Sequence, residues 1–171
     1  MAAFAYAFPV DRLLQQLKYG GRLAFADWAA GEVVAALMRV GATRANWERP
    51  DGVVALPLAP RRQHERGFNQ AREIAVRVAR SLDLPLLDAL QRTAHGAPQA
   101  TLPWAQRSAN VRGAFGTTGR ARINGRSIAL VDDVMTTGAT LIEAAGALRL
   151  AGATRVQCWV VARTPPPEYA R

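Results

Sequence analysis

The feature that most constrains the fold is a short apolar segment, Ile128–Val131, that runs directly into two aspartates, Asp132 and Asp133. Such a continuous apolar run is typical of a strand buried on both faces of a parallel sheet. Two carboxylates at the end of a buried strand are costly unless they have partners. Because ligands of open α/β sheets bind at the carboxyl ends of the strands, we expect the two acids to lie in a binding site.

A hydroxyl-rich segment follows the acids. Residues 132–140 are predicted to form a turn, and residues 141–151 a helix that is closed by Gly152. Backbone N–H groups at such a turn, next to a helix N-terminus, can bind a phosphate. The threonine hydroxyls add donors, and Gly138 allows a positive φ or the close approach of a ligand. The predicted phosphate-binding residues are Thr136, Thr137, Gly138, Ala139 and Thr140.

The acids and the turn together predict a site for a 5′-phosphorylated ribose. Each carboxylate would accept a hydrogen bond from a ribose hydroxyl, and the pair could help to place a hydrated Mg²⁺. The alternative interpretation is structural: Thr136–Thr140 would only cap the helix, and Asp132 and Asp133 would only begin a loop.

Apolar strands alternate with helices along the rest of the chain. The first predicted helix runs through Val10, Leu13, Leu14 and Leu17 and ends at Gly20-Gly21. The second covers residues 22–40 and has Ala26, Ala29, Val33 and Leu37 on one face. The third has Asn69 as its N-cap and runs through Ala71, Ile74, Ala75, Val78 and Ala79. Predicted strands are Val53–Leu56, Leu84–Leu87, Ser127–Val131 and Val156–Val161. Residues 41–52, 58–68 and most of 91–114 are interpreted as loops. This order predicts an α/β domain with a largely parallel sheet flanked by helices.

Charge and composition narrow the class of protein. The 171 residues suit one domain, and 22 Lys and Arg against 13 Asp and Glu give a net charge of +9, which favours anionic partners. A single cysteine, Cys158, excludes an internal disulfide and a cysteine-cluster zinc site. No apolar run reaches the ~18–20 residues that cross a bilayer, and no signal peptide is recognisable. We therefore expect a soluble cytoplasmic protein without a membrane partner.

Residues 131–140 resemble the phosphoribosyl pyrophosphate (PRPP) signature of type I phosphoribosyltransferases. Further blocks are similar to the ComF family, phosphoribosyltransferase-like proteins associated with DNA uptake by competent bacteria: residues 17–21, residues 57–62, residues 66–70, Arg107 with residues 110–115, and residues 162–164. The resemblance implies a type I phosphoribosyltransferase-like fold as a single domain over 1–171, with an N-terminal helical hood in 1–50 and a PRPP-binding core in 51–171.

The resemblance also implies an activity, namely transfer of phosphoribose to an unidentified nitrogen acceptor with release of pyrophosphate. The loop over 91–114 would be a mobile catalytic lid, and Mg²⁺ would arrive with PRPP and be assisted by Asp132 and Asp133, mainly through water. The implied catalytic residues are Asp132, Asp133, Arg107 and Arg112, and Asp133 is assigned the proton transfer at the acceptor. The implied pyrophosphate-binding residues are Leu58, Arg61, Arg62 and Arg66. Lys18 and Tyr19 would lie on the acceptor side of the hood. The plainer alternatives are a solvated arginine-rich loop and simple packing at the end of a helix.

The sequence departs from the family in two respects. Cysteine pairs that resemble a zinc ribbon precede the first helix in many members and are not found here, so we expect no zinc. Glutamine hydrolysis needs an N-terminal cysteine nucleophile, and position 2 is Ala2, so glutaminase chemistry is not supported. The rival function is a non-catalytic accessory factor in DNA uptake that binds single-stranded DNA or a competence helicase. Either function is compatible with a homodimer.

Overall fold

The computed structural model describes residues 1–43, 47–93 and 113–165. Their elements, in chain order, are β1 (Ala2–Ala5), α1 (Val10–Gly20), α2 (Ala24–Thr43), β2 (Gly52–Ala55), α3 (Pro60–Arg66), α4 (Gln70–Ser81), β3 (Leu90–Arg92), β4 (Phe115–Thr117), β5 (Ser127–Met135), α5 (Ala139–Leu150) and β6 (Arg155–Arg163). The main sheet holds four parallel strands in the order β1-β6-β5-β2. A small antiparallel sheet pairs β3 with β4.

Different helices cover the two faces of the main sheet, because successive side chains of a strand point to opposite faces. From β5, Ala129 and Val131 belong to the core that contains most of the buried apolar residues of α1, α2 and α4. Ile128 and Leu130 belong to the core on the side of α5 and the small sheet. The predicted class, an α/β domain with a largely parallel sheet flanked by helices, is confirmed.

The helices begin and end close to where the residue pattern predicts. Helix α1 ends before Gly21, which adopts the left-handed conformation with φ of 61° that glycine tolerates. Helix α2 is longer than predicted and continues to Thr43. Asn69 is the N-cap of α4, since its side-chain oxygen accepts hydrogen bonds from the backbone N–H groups of Ala71 and Arg72. Among the described residues, none of the helices has the length and apolar content needed to cross a membrane.

Three predictions about local structure were wrong. Asp132 and Asp133 do not begin a turn, because β5 stays paired with β6 as far as Met135 and Arg163. Residues 58–68 are not all loop: Pro60 stands in the first turn of α3, and Gly67 closes that helix with φ of 76°. The predicted strand over Leu84–Leu87 is reduced to one parallel bridge between Leu86 and Val53.

Three strands occur where the sequence predicts none. Strand β1 falls within the predicted helical hood and pairs with β6 as an edge strand of the main sheet. The predicted loop over 91–114 begins within β3 and ends next to β4, and Arg92 pairs with Phe115 across the small sheet that these strands form. Strands of three or four residues have too few positions to show a recognisable period. The rest of that segment, residues 94–112, lies outside the described residues.

Candidate functional site

A cavity of about 590 Å³ opens where β2 and β5 end. This is the edge of a parallel sheet at which ligands bind in α/β folds. Its lining comes from α1, the segment after β2, α3, the start of α4, β3, the end of β5 and the start of α5. The polar and charged lining residues are Tyr6, Lys18, Arg61, Arg62, Glu65, Arg66, Asn69, Gln70, Arg92, Asp132, Asp133, Thr136 and Thr140.

The two acids lie at the floor of this cavity in different surroundings. Asp133 is 4% exposed, and its Oδ2 lies 2.6 Å from the ammonium Nζ of Lys18, at the end of α1. Asp132 Oδ1 accepts a hydrogen bond of 2.8 Å from the backbone N–H of Asp133. Burial, and then the neighbouring Asp133 carboxylate, raise the pKa of Asp132 well above that of an ordinary aspartate. Asp133 thus has a cation beside it, whereas burial disfavours the charged form of Asp132.

The predicted phosphate turn connects β5 to α5. Gly138 is the N-cap of α5 with φ of 81°, a left-handed conformation that glycine adopts without strain. The hydroxyl Oγ1 of Thr137 accepts from the backbone N–H of Ala139 at 3.3 Å. Thr136 and Thr140 line the cavity, whereas the other three predicted phosphate residues form the turn between them. The turn therefore presents a helix N-terminus next to the acids.

Helix α3 brings the predicted pyrophosphate arginines to the cavity, and Leu58, in the segment before α3, also lines it. The guanidinium of Arg61 donates to Glu65, one turn later, at 2.8 Å. Arg66 lies over the ring of Tyr19, 5.0 Å from its centroid, and its Nη2 is 3.4 Å from the tyrosine hydroxyl. The end of α1 and the end of α3 therefore meet at the rim of the cavity.

Arg92 is a cavity residue that the sequence analysis missed. It belongs to β3, and its guanidinium lies 5.2 Å from the ring centroid of Phe115, its partner across the small sheet. Burial and the nearby charge of Arg62 lower the pKa of Arg92. No signal in the residue pattern marks this arginine, since its position depends on the pairing of β3 with β4.

Asn69 joins the end of β2 to the start of α4. Its amide nitrogen donates to the backbone oxygen of Leu56 at 3.0 Å, while its oxygen caps α4. The same side chain lines the cavity. Asn69 therefore acts as the predicted N-cap and also holds the cavity wall in place.

The remaining predictions concern a metal and the lid. Arg107 and Arg112, both predicted to be catalytic, lie outside the described residues. Over residues 1–43, 47–93 and 113–165, no group of three or more His, Cys, Asp or Glu side chains could hold a metal ion. Mg²⁺ commonly uses one or two carboxylates, several waters and the phosphates of a substrate. Because Lys18 already contacts Asp133, the donor set fits Mg²⁺ that arrives with a phosphorylated ligand and contacts the acids through water.

Comparison with known proteins gives matches over most of the chain. The phosphoribosyl transferase domain family matches residues 69–170. Competence protein F of Haemophilus influenzae is 31% identical over 160 residues, covering 92% of this chain and 69% of that protein. DNA utilization protein YhgH of Escherichia coli is 34% identical over 160 residues, covering 93% and 69%. A purine phosphoribosyltransferase from Pyrococcus horikoshii has a TM-score of 0.48 and 17% identity, covering 80% of this chain and 73% of that one.

The parallel sheet, the cavity at its carboxyl edge and the family match define a domain of the type I phosphoribosyltransferase class. Within that class, the two relatives identify a narrower family than the fold does, because their alignments with this chain cover both the α1–α2 region and the core. The chain belongs to the family of competence protein F, the ComF family.

Proposed function

We propose that this protein binds PRPP and transfers phosphoribose to a nitrogen acceptor with release of pyrophosphate. The observation that carries the proposal is that a carboxylate pair, a turn at a helix N-terminus and several arginines line the same cavity. Each of these features suits one part of PRPP, and together they match a ligand with a phosphate at each end and a diol between them.

In the proposed complex, the turn over residues 136–140 binds the 5′-phosphate through backbone N–H groups and threonine hydroxyls. The two acids accept hydrogen bonds from the ribose hydroxyls. The arginines of α3 bind the pyrophosphate, because a guanidinium can donate two parallel N–H bonds to a phosphate. Lys18 and Tyr19 lie on the acceptor side, at the end of α1.

In the proposed reaction, the bond between the anomeric carbon and the pyrophosphate oxygen breaks, and a bond from that carbon to the acceptor nitrogen forms. The leaving pyrophosphate keeps the electron pair, and the arginines stabilise its negative charge. We assign to Asp133, which lines the cavity, acceptance of the proton that the acceptor nitrogen loses. Mg²⁺, when bound with PRPP, would offset phosphate charge beside Asp132 and Asp133.

Calorimetric titration with PRPP and Mg²⁺ tests this function on the wild type, the Asp132→Asn/Asp133→Asn double variant and the control Asp88→Asn. Asp88 is exposed and pairs with Arg120 outside the cavity lining, so its replacement removes one carboxylate without touching the site. We expect the double variant to lose PRPP affinity and the control to keep it. Equal PRPP affinity in all three proteins would refute the proposal that Asp132 and Asp133 bind the ribose hydroxyls. A screen of nucleobases for pyrophosphate release then tests catalysis.

A second candidate is a non-catalytic accessory factor that binds single-stranded DNA or a competence helicase. The names of the relatives, which refer to competence and DNA utilization, and the net charge of +9 favour it. Binding to a DNA backbone weakens steeply with salt, whereas directed donors in a cavity are less affected. Titrating both ligands at several salt concentrations separates the two functions. Tight DNA binding that tolerates salt, without PRPP binding, would favour the accessory role.

A further inference from the structure

Helix α2 is apolar on the side that faces solvent as well as on the side that faces the core. Its inner side supplies Val33 and Leu37 to the core that it shares with α1 and α4. Its sequence contains three charged residues, Asp27, Glu32 and Arg39. A surface helix usually carries charged and polar residues opposite its apolar stripe. The outer side of α2 therefore has the composition of a surface that packs against a partner.

The outer face of α2 is formed by Gly31, Ala35, Met38 and Ala42, at successive spacings of four, three and four residues. This is the spacing at which one helix packs along another in a coiled coil. Met38 is 58% exposed, and Gly31 and Ala42 are exposed too. A Cβ added at Gly31 would meet nothing within 4 Å. The face thus combines a large apolar side chain with backbone that a second helix could approach closely.

Two opposite charges lie along one edge of this face. Glu32 and Arg39 are seven residues apart, which is about two helical turns, so they stand one above the other on the same side of the helix. In the described part of the chain, neither forms an ion pair. Asp27 differs, because it accepts from Arg77 of α4 at 2.6 Å. A glutamate and an arginine are therefore available to a partner beside the apolar face.

The order of these residues makes the face complementary to itself when a second helix runs in the opposite direction. Turning a second copy of α2 about a two-fold axis near residues 36–37 sets Gly31 against Ala42, and Ala35 against Met38, of that copy. The same operation brings Glu32 beside Arg39 of the second copy, on the same edge. Because a two-fold interface repeats each contact, both the apolar pairs and the charge pair occur twice.

We propose that the outer face of α2 is a docking surface for a second copy of this chain, with the two α2 helices antiparallel and Glu32 of each copy paired with Arg39 of the other. A parallel arrangement is less favourable, because it sets each charge level with its own copy. Among the described residues that line the cavity, none belongs to α2, so the cavity of each copy stays open in the dimer.

The size of the face sets the strength of the dimer. Two overlapping helices of about 16 residues each share a strip of roughly 24 Å by 10 Å, which is smaller than the ~800 Å² per partner of a standard interface. The dimer should therefore dissociate on dilution. Sedimentation equilibrium over roughly 5–500 μM covers the range in which such an interface associates.

The apolar part of the face is tested with Met38→Gln and the matched control Leu150→Gln. Leu150 lies on α5 and is 93% exposed, so its replacement also removes a large exposed apolar side chain. We expect Met38→Gln to weaken the dimer roughly tenfold, because the symmetric interface loses two buried methionines. The control should associate like the wild type, and thermal unfolding checks that both variants are folded.

The antiparallel register is tested by reversing charges. Glu32→Arg and Arg39→Glu should each weaken the dimer roughly tenfold, since each turns two attractive contacts into two repulsive ones. The double variant Glu32→Arg/Arg39→Glu restores opposite charges at both contacts and should associate within about threefold of the wild type. Glu143→Arg, on α5, makes the same charge change outside α2 and should leave the association unchanged.

Three results would overturn the proposal. The first is a wild type that stays monomeric over the whole concentration range. The second is a dimer that Met38→Gln leaves unchanged or that Leu150→Gln disrupts, because the interface would then lie elsewhere. The third is a double charge variant that associates no better than the single reversals, which would exclude the pairing of Glu32 with Arg39.

Discussion

Lys18 and Asp133 form an ion pair at the floor of the cavity, with 2.6 Å between the ammonium Nζ and the carboxylate Oδ2. The Lys18 side chain is 18% exposed and the Asp133 side chain 6% exposed. Lys18 stands in the last turn of α1, whereas Asp133 lies near the end of β5. The pair therefore links the N-terminal helices to the strand that carries the acids, and it offsets the charge of one of two adjacent carboxylates.

Replacing Lys18 with Met should destabilise the protein, because it leaves the Asp133 carboxylate without its cation. We expect a loss of about 2 kcal/mol, less than the ~3–5 kcal/mol of a fully buried pair, since the cavity admits water. The double variant Lys18→Met/Asp133→Asn should recover part of this loss, because no charge is then left alone. Urea denaturation of the wild type, both single variants and the double variant measures the coupling. Additive effects would contradict the pairing.

Asp132 should make stability depend on pH. Burial and the Asp133 carboxylate raise its pKa in the folded protein, so the folded state binds the proton more tightly than the unfolded state. Its favourable contribution is complete below the ordinary aspartate pKa of about 3.9 and is lost as pH rises through the raised pKa of Asp132. Asp132→Asn should therefore be more stable than the wild type at neutral pH, with an advantage that shrinks on acidification. Urea unfolding across a pH series tests this, and an advantage independent of pH would contradict it.

Gly138→Val should weaken ribose 5-phosphate binding and cost about 2 kcal/mol of stability, because a β-branched residue is strained at φ of 81°. Its Cβ would be in ordinary van der Waals contact with the Met135 sulfur, 3.6 Å away, so the cost comes from the backbone conformation and not from a clash of the Cβ. The matched control is Gly146→Ala in the same helix, where a Cβ meets nothing within 4 Å. That variant should gain about 0.5–1 kcal/mol and bind normally. Normal ligand affinity in Gly138→Val would mean that the phosphate turn is wrongly assigned.

Asn69→Ala should lose about 1–2 kcal/mol, because it removes the cap of α4 and the donor to the Leu56 oxygen. Asn69→Asp separates the two roles, since a carboxylate still caps the helix but cannot donate to Leu56. We expect its stability to lie between those of the wild type and the alanine variant. Thermal unfolding of the three proteins provides the measurement. Equal losses in both variants would show that the cap contributes little.

The long periodic segments were predictable from the sequence. Helix α4 has Ile74 and Val78 at helical spacing and a capping asparagine before its first turn, and both features act within a few residues. The apolar core of β5 was equally clear. The end of β5 was not predictable, because pairing with β6 prolongs the strand through Asp132 and Asp133, and two acids are a poor local signal for a strand.

The short elements depended on partners that are distant in the chain. Strand β1 is ordered by pairing with β6, which lies at the other end of the described residues. Strands β3 and β4 are three residues each and exist as a pair across residues 93–114. Residues that form such strands have no period that a local pattern could reveal.

The sequence by itself determined the acid pair, the glycine-containing turn after it and the class of fold, because those residues are contiguous and follow an apolar strand. Only the tertiary structure decided which charges meet. Packing brings Lys18 to Asp133, and pairing of β3 with β4 places Arg92 on the cavity wall near Arg62. Charge interactions depend on distance and on exclusion of water. Both quantities are set by the packing of helices and strands, and neither can be read from the order of residues along the chain.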